Sequence, residues 1–365
     1  MTAQGDIGAR MEETDLFYEE VRKNHSAPLW RIEATGSTRR VLPFMWQWSA
    51  IRPLMLQAAR LVPIEQAERR VLVFANPGLA GSGRPSATTT LFANMQVINP
   101  GEVARAHRHT ASALRLIVEG HGAWTAVEGE KTYMEPGDFV TTPNWTWHDH
   151  GHEGVAPMIW LDGLDIPIVN ALESGFYEQT PELQHAHTKP EGLSQRLYGA
   201  GTLRPTWTQH DAVYSPLLNY KFDQVYESLV RLASQTNGSP YDGICLEYSN
   251  PLTGGPALAT MACFAQMLQP GQHTKAHRHT GGTIYHVIKG TGSTVIDGVC
   301  FDWRDKDTFV VPSWSFHEHV AQSESVLFSY NDSPMLQPFG FYREEVLDEN
   351  AGHQEIRDHF VPQPA

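Results

Sequence analysis

The stretch GEVARAHRHTASALRLIVEGHG (residues 101–122) decides the fold, because it returns as GQHTKAHRHTGGTIYHVIKGTG (271–292), 170 residues later and without a gap. The repeat extends on both sides. Upstream, NPGLAG at Asn76 is echoed by NPLTGG at Asn250; downstream, DFVTTPNWTWHDH (138–150) is echoed by DTFVVPSWSFHEH (307–319). A long internal repeat means two copies of one structural unit. Around the repeats, short runs such as VLVFA, TLFANMQVI, LRLIVEG, AWTAVEG and MIWLDG are broken at close spacing by Gly, Pro, Asn and Asp. That punctuation predicts an all-β sandwich or barrel.

Each copy carries the same histidines. His107 and His109, and again His277 and His279, stand two apart, and a Pro-x-Trp-x-x-His element then supplies His148 and His317. On a strand, residues i and i+2 face the same way, so each pair aims inward together and a third His from a distant strand can close one face of a metal ion. An isolated His is more often a half-buried polar group than a ligand. The duplicated set outweighs that reading, since unpaired buried polar groups are costly and a structural repeat has no need of three His apiece.

Composition bounds the rest. With 27 Lys+Arg against 41 Asp+Glu, a net charge of −14 and no basic block, nucleic acid is excluded as a partner. The 365 residues, 41% hydrophobic and 10% aromatic, suit two domains and exclude extensive disorder. Cys245, Cys263 and Cys300 form no CxxC, as expected in a reducing compartment. The acidic start and the absence of a membrane-length apolar run lead us to expect a soluble, cytoplasmic protein with no membrane partner. MEETDLFYEEVRKN (11–24) predicts a helix. The expected organisation is an N-terminal helical extension (1–70), a first barrel (71–184), a connector (185–235) with a helix at DQVYESLVRLAS, a second barrel (236–345) and a tail (346–365).

The pattern G-x5-HxH-x10-G followed by G-x5-P-x-W-x-x-H resembles the two cupin motifs. Trp145 and Trp314 replace a usual Gly, and Lys306 replaces the opening Gly of the second copy. The resemblance implies a bicupin of two jelly-roll barrels. Most metal cupins add a Glu after the second His, where this chain has Ala113 or Leu114, and Thr283 or Ile284. A three-His, no-Glu bicupin with NPGL, HRHTASALRLIVEG, TTPNWTWHDHG and WLDGLDIP resembles the gentisate 1,2-dioxygenase family, which includes salicylate and 1-hydroxy-2-naphthoate dioxygenases. The resemblance runs from about residue 25 to 345. It implies Fe(II) at His107, His109 and His148, and a homo-oligomer, with a tetramer the state the family suggests. It also implies insertion of both atoms of O2 between the carboxyl- and hydroxyl-bearing carbons of an aromatic ortho-hydroxy acid, opening gentisate to maleylpyruvate. Salicylate, a 5-substituted salicylate and 1-hydroxy-2-naphthoate stay open as substrates. A bicupin decarboxylase or isomerase, or a non-catalytic ligand-binding bicupin, is the reading from another class. Three neutral imidazoles leave the metal's charge uncompensated and so favour a doubly anionic chelate.

Strand parity assigns the pocket, provided the strand is unbroken. Counting in twos from His109 reaches Arg115, a fork for a substrate oxygen; its counterpart is Tyr285, so only the first copy carries the inward cation. His150, two after His148, is expected inward as general base, with a pKa near the working pH. Asp162 is placed to orient that His or bond a ring hydroxyl, and Phe92, Asn94 and Gln96 share one parity on a pocket wall. The resemblance adds Arg69 as a substrate residue. Blander roles stay open: Arg115 paired with a carboxylate at the barrel mouth, Asn94 and Gln96 satisfying backbone groups, and Asp162 capping a turn. His277, His279 and His317 form a second candidate metal site, expected to be structural, vestigial or weakly active.

Overall fold

A computed structural model describes residues 3–31, 40–81, 83–200, 203–207 and 213–362. The chain divides into two compact units, 1–40 and 41–365. The first unit is a helix, Ala3–Lys23, that ends on Arg22 and Lys23 as the negative end of a helix dipole favours.

The second unit holds both repeats as two jelly-roll barrels, each made of two antiparallel sheets. In the first barrel, one sheet runs Asn219–Tyr220, Phe139–Thr142, Ala113–Glu119, Met158–Leu164, Phe92–Ile98, Arg70–Val73. The facing sheet runs Tyr177–Gln179, Val103–His109, His148–His152, Ala123–Val127, Glu130–Tyr133. The second barrel repeats this with Phe44–Trp46, Thr308–Val311, Thr283–Lys289, Ser325–Asn331, Ala262–Leu268, Ile244–Glu247 against Glu344–Val346, His277–His279, His317–Ala321, Gly292–Ile296, Val299–Trp303, Asp358–His359. Only the final pairing, of Asp358–His359 with Val299–Cys300, is parallel.

Alternation along the strands builds three cores. Met95, Val97, Leu114, Leu116 and Leu161 of the first barrel pack with Cys263, Ala265, Met267, Ile284 and Phe328 of the second. The sheet of the first barrel that holds Phe92–Ile98 and the sheet of the second that holds Ala262–Leu268 therefore share one apolar core. Their other faces line the barrel interiors: Ile98, Ile117, Val140, Met158 and Trp160 in the first, and Tyr285, Val287, Phe309, Val311 and Leu327 in the second. Each fully buried side chain of this size contributes about 1.5–3 kcal/mol relative to exposure.

The pseudo-symmetry also reaches segments that show no repeat in their sequence. Phe44–Trp46 pairs with Thr308–Val310 of the second barrel, while the helix that follows it, Trp48–Leu61, packs on strands of the first. Asn219–Tyr220 pairs with Phe139–Val140 of the first barrel, while helix Phe222–Ala233 packs on Ile244–Glu247 and Ala262–Leu268 of the second. A buried aspartate anchors the start of each of these two helices. Asp307 accepts the backbone N–H of Trp48 at 2.8 Å, and Asp138 accepts that of Phe222 at 3.0 Å. Removing either carboxylate strands a helix-start N–H that has no partner within its own helix.

We expect Asp138→Ala and Asp307→Ala each to lower stability by about 1–3 kcal/mol, read as a lower denaturation midpoint. An unchanged midpoint for both would remove the anchoring role.

Candidate metal centre and active site

Strand register builds the site. His107 and His148 are direct partners across adjacent antiparallel strands, and His109 follows two residues on, so three imidazoles meet on the barrel's inner face. Their ring centroids lie 4.4 Å (His107–His148), 4.9 Å (His109–His148) and 5.2 Å (His107–His109) apart. One ligating atom from each falls within 4.8 Å of the others. His109 Nδ1 bonds the Ala111 carbonyl at 2.7 Å and His148 Nδ1 the Thr146 carbonyl at 3.0 Å. With Nδ1–H spent on a carbonyl, Nε2 carries the lone pair, the tautomer that binds metal.

The Trp of each Pro-x-Trp element closes this geometry. Trp145 holds φ +57° and Trp314 φ +61°, and Lys306 also sits at φ +71°, so all three departures from the motif's Gly occupy left-handed backbone. A side chain there costs about 1–2 kcal/mol. Trp145 N–H donates to the His109 carbonyl at 2.8 Å while the Arg108 guanidinium covers its ring at 4.5 Å. Trp314 repeats both contacts, to His279 at 2.7 Å and with Arg278 at 4.6 Å. The strained turn ties the two ligand-bearing strands together.

Beside the triad, one register row crosses the facing sheet: Asn94 opposite Asp162, and Asp162 opposite Arg115. All three are buried. Arg115 Nε lies 3.3 Å from Asp162 Oδ1, and its Nη1 donates to Thr142 Oγ1. Trp160 Nε1 donates to Asp162 at 3.1 Å, and Gln96 stands opposite Trp160. Phe92, half-buried, begins its strand opposite Leu164. Arg69 turns inward, donating to the Arg105 carbonyl at 3.0 Å, while its neighbour Arg70 turns away to Glu102. His150 lies between His148 (5.9 Å) and Trp160 (5.6 Å). Arg115 faces inward as expected, but not by an unbroken strand: the chain leaves the sheet after His109 and enters the facing one at Ala113.

The electrostatics are those of a buried cationic pocket. Burial first, and then the neighbouring cations and imidazoles, hold His107, His148 and His150 well below their ordinary pKa; His109 falls to about 4. All four are therefore neutral at pH 7. For His150 this corrects the expected pKa near the working pH. Burial and repulsion from Arg115 lower Arg69 to about 10, still protonated. Burial lifts Asp162 to about 6 against the pull of Arg115 and Arg69, so desolvation outweighs the ion pair. Arg69 Nη1, Arg115 Nε, Asn94 Oδ1 and both nitrogens of His150 are buried with no hydrogen-bond partner among the described residues. So many unsatisfied polar atoms in one place mark a ligand site rather than a finished core.

Glu68, Trp160 and Thr142 belong to this site and escaped the sequence reading. Glu68, at φ +57°, sets Oε1 3.7 Å from His107 Nδ1 and accepts from Tyr177 Oη and Gln179 Nε2, both at 2.6 Å. Trp160 was within reach of parity, standing two before Asp162; Glu68 left no signal.

The second triad is looser. Its centroids lie 4.5, 5.5 and 5.9 Å apart, and its ligating atoms do not all come within 4.8 Å of one another. His277 is instead flanked by Glu344 at 3.3 Å and Asp242 at 3.6 Å. Tyr285 replaces Arg115 and stacks on Phe309 at 5.0 Å; Ser329 replaces Asp162, and Phe264 replaces Asn94. Apolar packing fills the space that polar groups occupy in the first barrel.

Comparison with known proteins agrees with this geometry. The Cupin domain family matches residues 94–164 and 264–329, one match in each barrel. The chain is thus a bicupin. A gentisate 1,2-dioxygenase of Aquipseudomonas alcaligenes is 41% identical over 91% of this chain and 96% of its own length. A 5-aminosalicylate 1,2-dioxygenase of a Comamonas species is 36% identical over 95% and 94%. The salicylate 1,2-dioxygenase of Pseudoaminobacter salicylatoxidans, solved with gentisate, superposes with a TM-score of 0.86 at 31% identity, covering 92% of this chain and 94% of that one. The chain belongs to the gentisate 1,2-dioxygenase family of ring-cleaving dioxygenases. Among the described residues no helix is long and apolar enough to cross a membrane.

Because its folded-state pKa is raised, Asp162 contributes stability that is complete below about pH 4 and lost as pH rises through about 6. In the metal-free chain, Asp162→Asn should gain on wild type by up to about 3 kcal/mol across that window, measured by denaturation at fixed pH. A pH-independent difference would contradict the buried, strained carboxylate.

Proposed function

We propose that the protein opens gentisate with O2 to maleylpyruvate, using Fe(II) held by His107, His109 and His148. The observation that carries the reading is the cluster of buried Arg69, Arg115, Asn94 and His150 atoms that make no hydrogen bond among the described residues, beside three neutral imidazoles. Two guanidiniums, Arg69 and Arg115, stand beside the triad with Asp162 and the partly exposed Glu68 as their carboxylate neighbours, so a metal held by three neutral imidazoles adds the uncompensated positive charge that suits a dianionic aromatic acid. The donor set fits a divalent transition metal with open positions. When bound, Fe(II) supplies coordination sites for the substrate carboxylate, the phenolate and O2, and a path for electrons from ring to O2.

The protein side follows from the residues. Arg115 and Arg69 hold the carboxylate by charge-assisted hydrogen bonds. Neutral His150 accepts the 2-hydroxyl proton, and the incoming carboxylate raises its basicity. Asp162 fixes the Arg115 fork. Asn94 and Gln96 offer amides to the 5-hydroxyl, which distinguishes gentisate from salicylate, and Trp160 and Phe92 wall the ring. No atom is lost in the reaction: both oxygens of O2 enter the product.

Anaerobic loading with Fe(II), followed by O2 uptake on gentisate, salicylate, 5-aminosalicylate and 1-hydroxy-2-naphthoate, tests the reading. We expect the highest kcat/KM on gentisate, with one O2 consumed per ring. A higher value on another acid moves the substrate, and no uptake on any acid ends the dioxygenase reading. Arg115→Ala should lower kcat/KM by about 30- to 160-fold, the cost of about 2–3 kcal/mol of charged hydrogen bonding. His107→Ala should abolish turnover while His277→Ala retains most of it; the reverse would move the active site to the second barrel.

A further inference from the structure

The strand that carries each third histidine also carries an acid on its outer face. Asp149 lies between His148 and His150, and Glu318 between His317 and His319. Both are buried, at 0% and 1% exposure, and each is met by a His from the segment that follows its barrel, His185 and His353. In the first copy the arrangement is closed by hydrogen bonds. His185 Nδ1 meets Asp149 at 2.7 Å, its Nε2 accepts the Gly129 N–H at 2.9 Å, and its own N–H donates to Asp149 at 2.8 Å. Both nitrogens are in use, with no donor to spare.

Two imidazoles converge on the carboxylate in both copies, His187 joining His185 at Asp149 with Nε2 at 3.4 Å, but in the second copy the Gly298 N–H, counterpart of Gly129, donates to Gln354 Oε1 at 3.0 Å and not to a histidine. His353 Nδ1 lies 3.2 Å from Glu318 Oε2 and His273 Nε2 lies 3.6 Å from Oε1, with the two rings 4.0 Å apart. One ligating atom from each residue lies within 4.8 Å of the others. The Gln354 N–H at 3.0 Å fixes the carboxylate from the other side. Two imidazole nitrogens and a carboxylate are a donor set for a Zn(II)-class ion, with His353 Nδ1 3.2 Å from one carboxylate oxygen and His273 Nε2 3.6 Å from the other. No Lys or Arg among the described residues pairs with Glu318. The 3.6 Å approach of His273 is also too long for a hydrogen bond. A cation between the three groups would satisfy both imidazoles and neutralise the buried charge.

We propose that His273, Glu318 and His353 form a binding site for a Zn(II)-class divalent cation that clasps the C-terminal tail onto the second barrel. The tail is already docked at this place. Gln354 Nε2 donates to the Val295 carbonyl at 2.9 Å, the Arg357 N–H to Gly298 at 2.8 Å, and Asp358–His359 adds a strand beside Val299–Cys300. The His273 side chain is 42% exposed, which leaves the fourth position to water. The site lies outside the barrel and touches none of the residues assigned to substrate.

Anaerobic titration of the Fe(II)-loaded full chain with Co(II), a spectroscopic stand-in for Zn(II), tests this. We expect one further equivalent with a tetrahedral Co(II) spectrum, and slower tryptic cleavage after Arg357 once it is bound. His273→Ala and His353→Ala should each weaken that binding by more than the about 10- to 100-fold that loss of an outer-sphere partner costs. Unchanged gentisate turnover in both variants shows that they are folded. His277→Ala and Cys300→Ser should leave the equivalent in place. Absence of the extra equivalent, its survival in either His273→Ala or His353→Ala, or its loss in His277→Ala or Cys300→Ser overturns the proposal.

Discussion

The pairing of His107 with His148 across two adjacent antiparallel strands is the contact on which the site depends. Three imidazoles converge only if these strands lie in register, since a slip of one residue would turn every side chain to the opposite face. Two devices hold that register. The Trp145 turn joins the end of one strand to the beginning of the other through the His109 carbonyl, and the shared core fixes the facing sheet that carries Arg115, Asp162 and Asn94. Side chains of Met95, Leu114 and Leu161, each one position away from a site residue, anchor the wall from behind.

The same fold has been put to two uses. In the first barrel the row Asn94, Asp162, Arg115 leaves buried polar atoms unsatisfied, and burial costs there are visible in the raised Asp162 and the lowered Arg69. In the second, Phe264, Ser329 and Tyr285 occupy the same register positions, and the stack of Tyr285 on Phe309 fills the interior. The second barrel buries apolar area at those positions, while the first gives up that stabilisation to keep a charged cavity. A chain carrying a net charge of −14 has no global field to draw in an anion, so under the proposed function the charge of a bound metal and the Arg115 guanidinium must do so.

Much of this was legible in the sequence because it is periodic. The 170-residue repeat gives the two barrels, and spacing of two gives the inward faces of His107, His109, His150, Asn94 and Gln96. What was not legible depends on tertiary neighbours. Strands Phe44–Trp46 and Asn219–Tyr220 are too short to carry a period, and their partners lie far away in sequence. The low pKa of His150 follows from burial beside Arg115 and Arg69, a neighbourhood assembled from two strands and the bend that precedes a third. Glu68 reaches His107 only through a left-handed turn in a segment without pattern. Arg115 is the instructive case: counting in twos gave its direction, yet the chain changes sheets between His109 and Ala113, so the parity did not run through a strand.

The central claim is that one barrel does the chemistry, with the substrate carboxylate beside Arg115. Anomalous diffraction at the iron edge, from crystals grown anaerobically with Fe(II) and gentisate, addresses it most directly. The account predicts an iron peak bonded to His107, His109 and His148, with the gentisate carboxylate against the Arg115 guanidinium. Iron at His277, His279 and His317, or gentisate bound with its carboxylate away from Arg115, would contradict it.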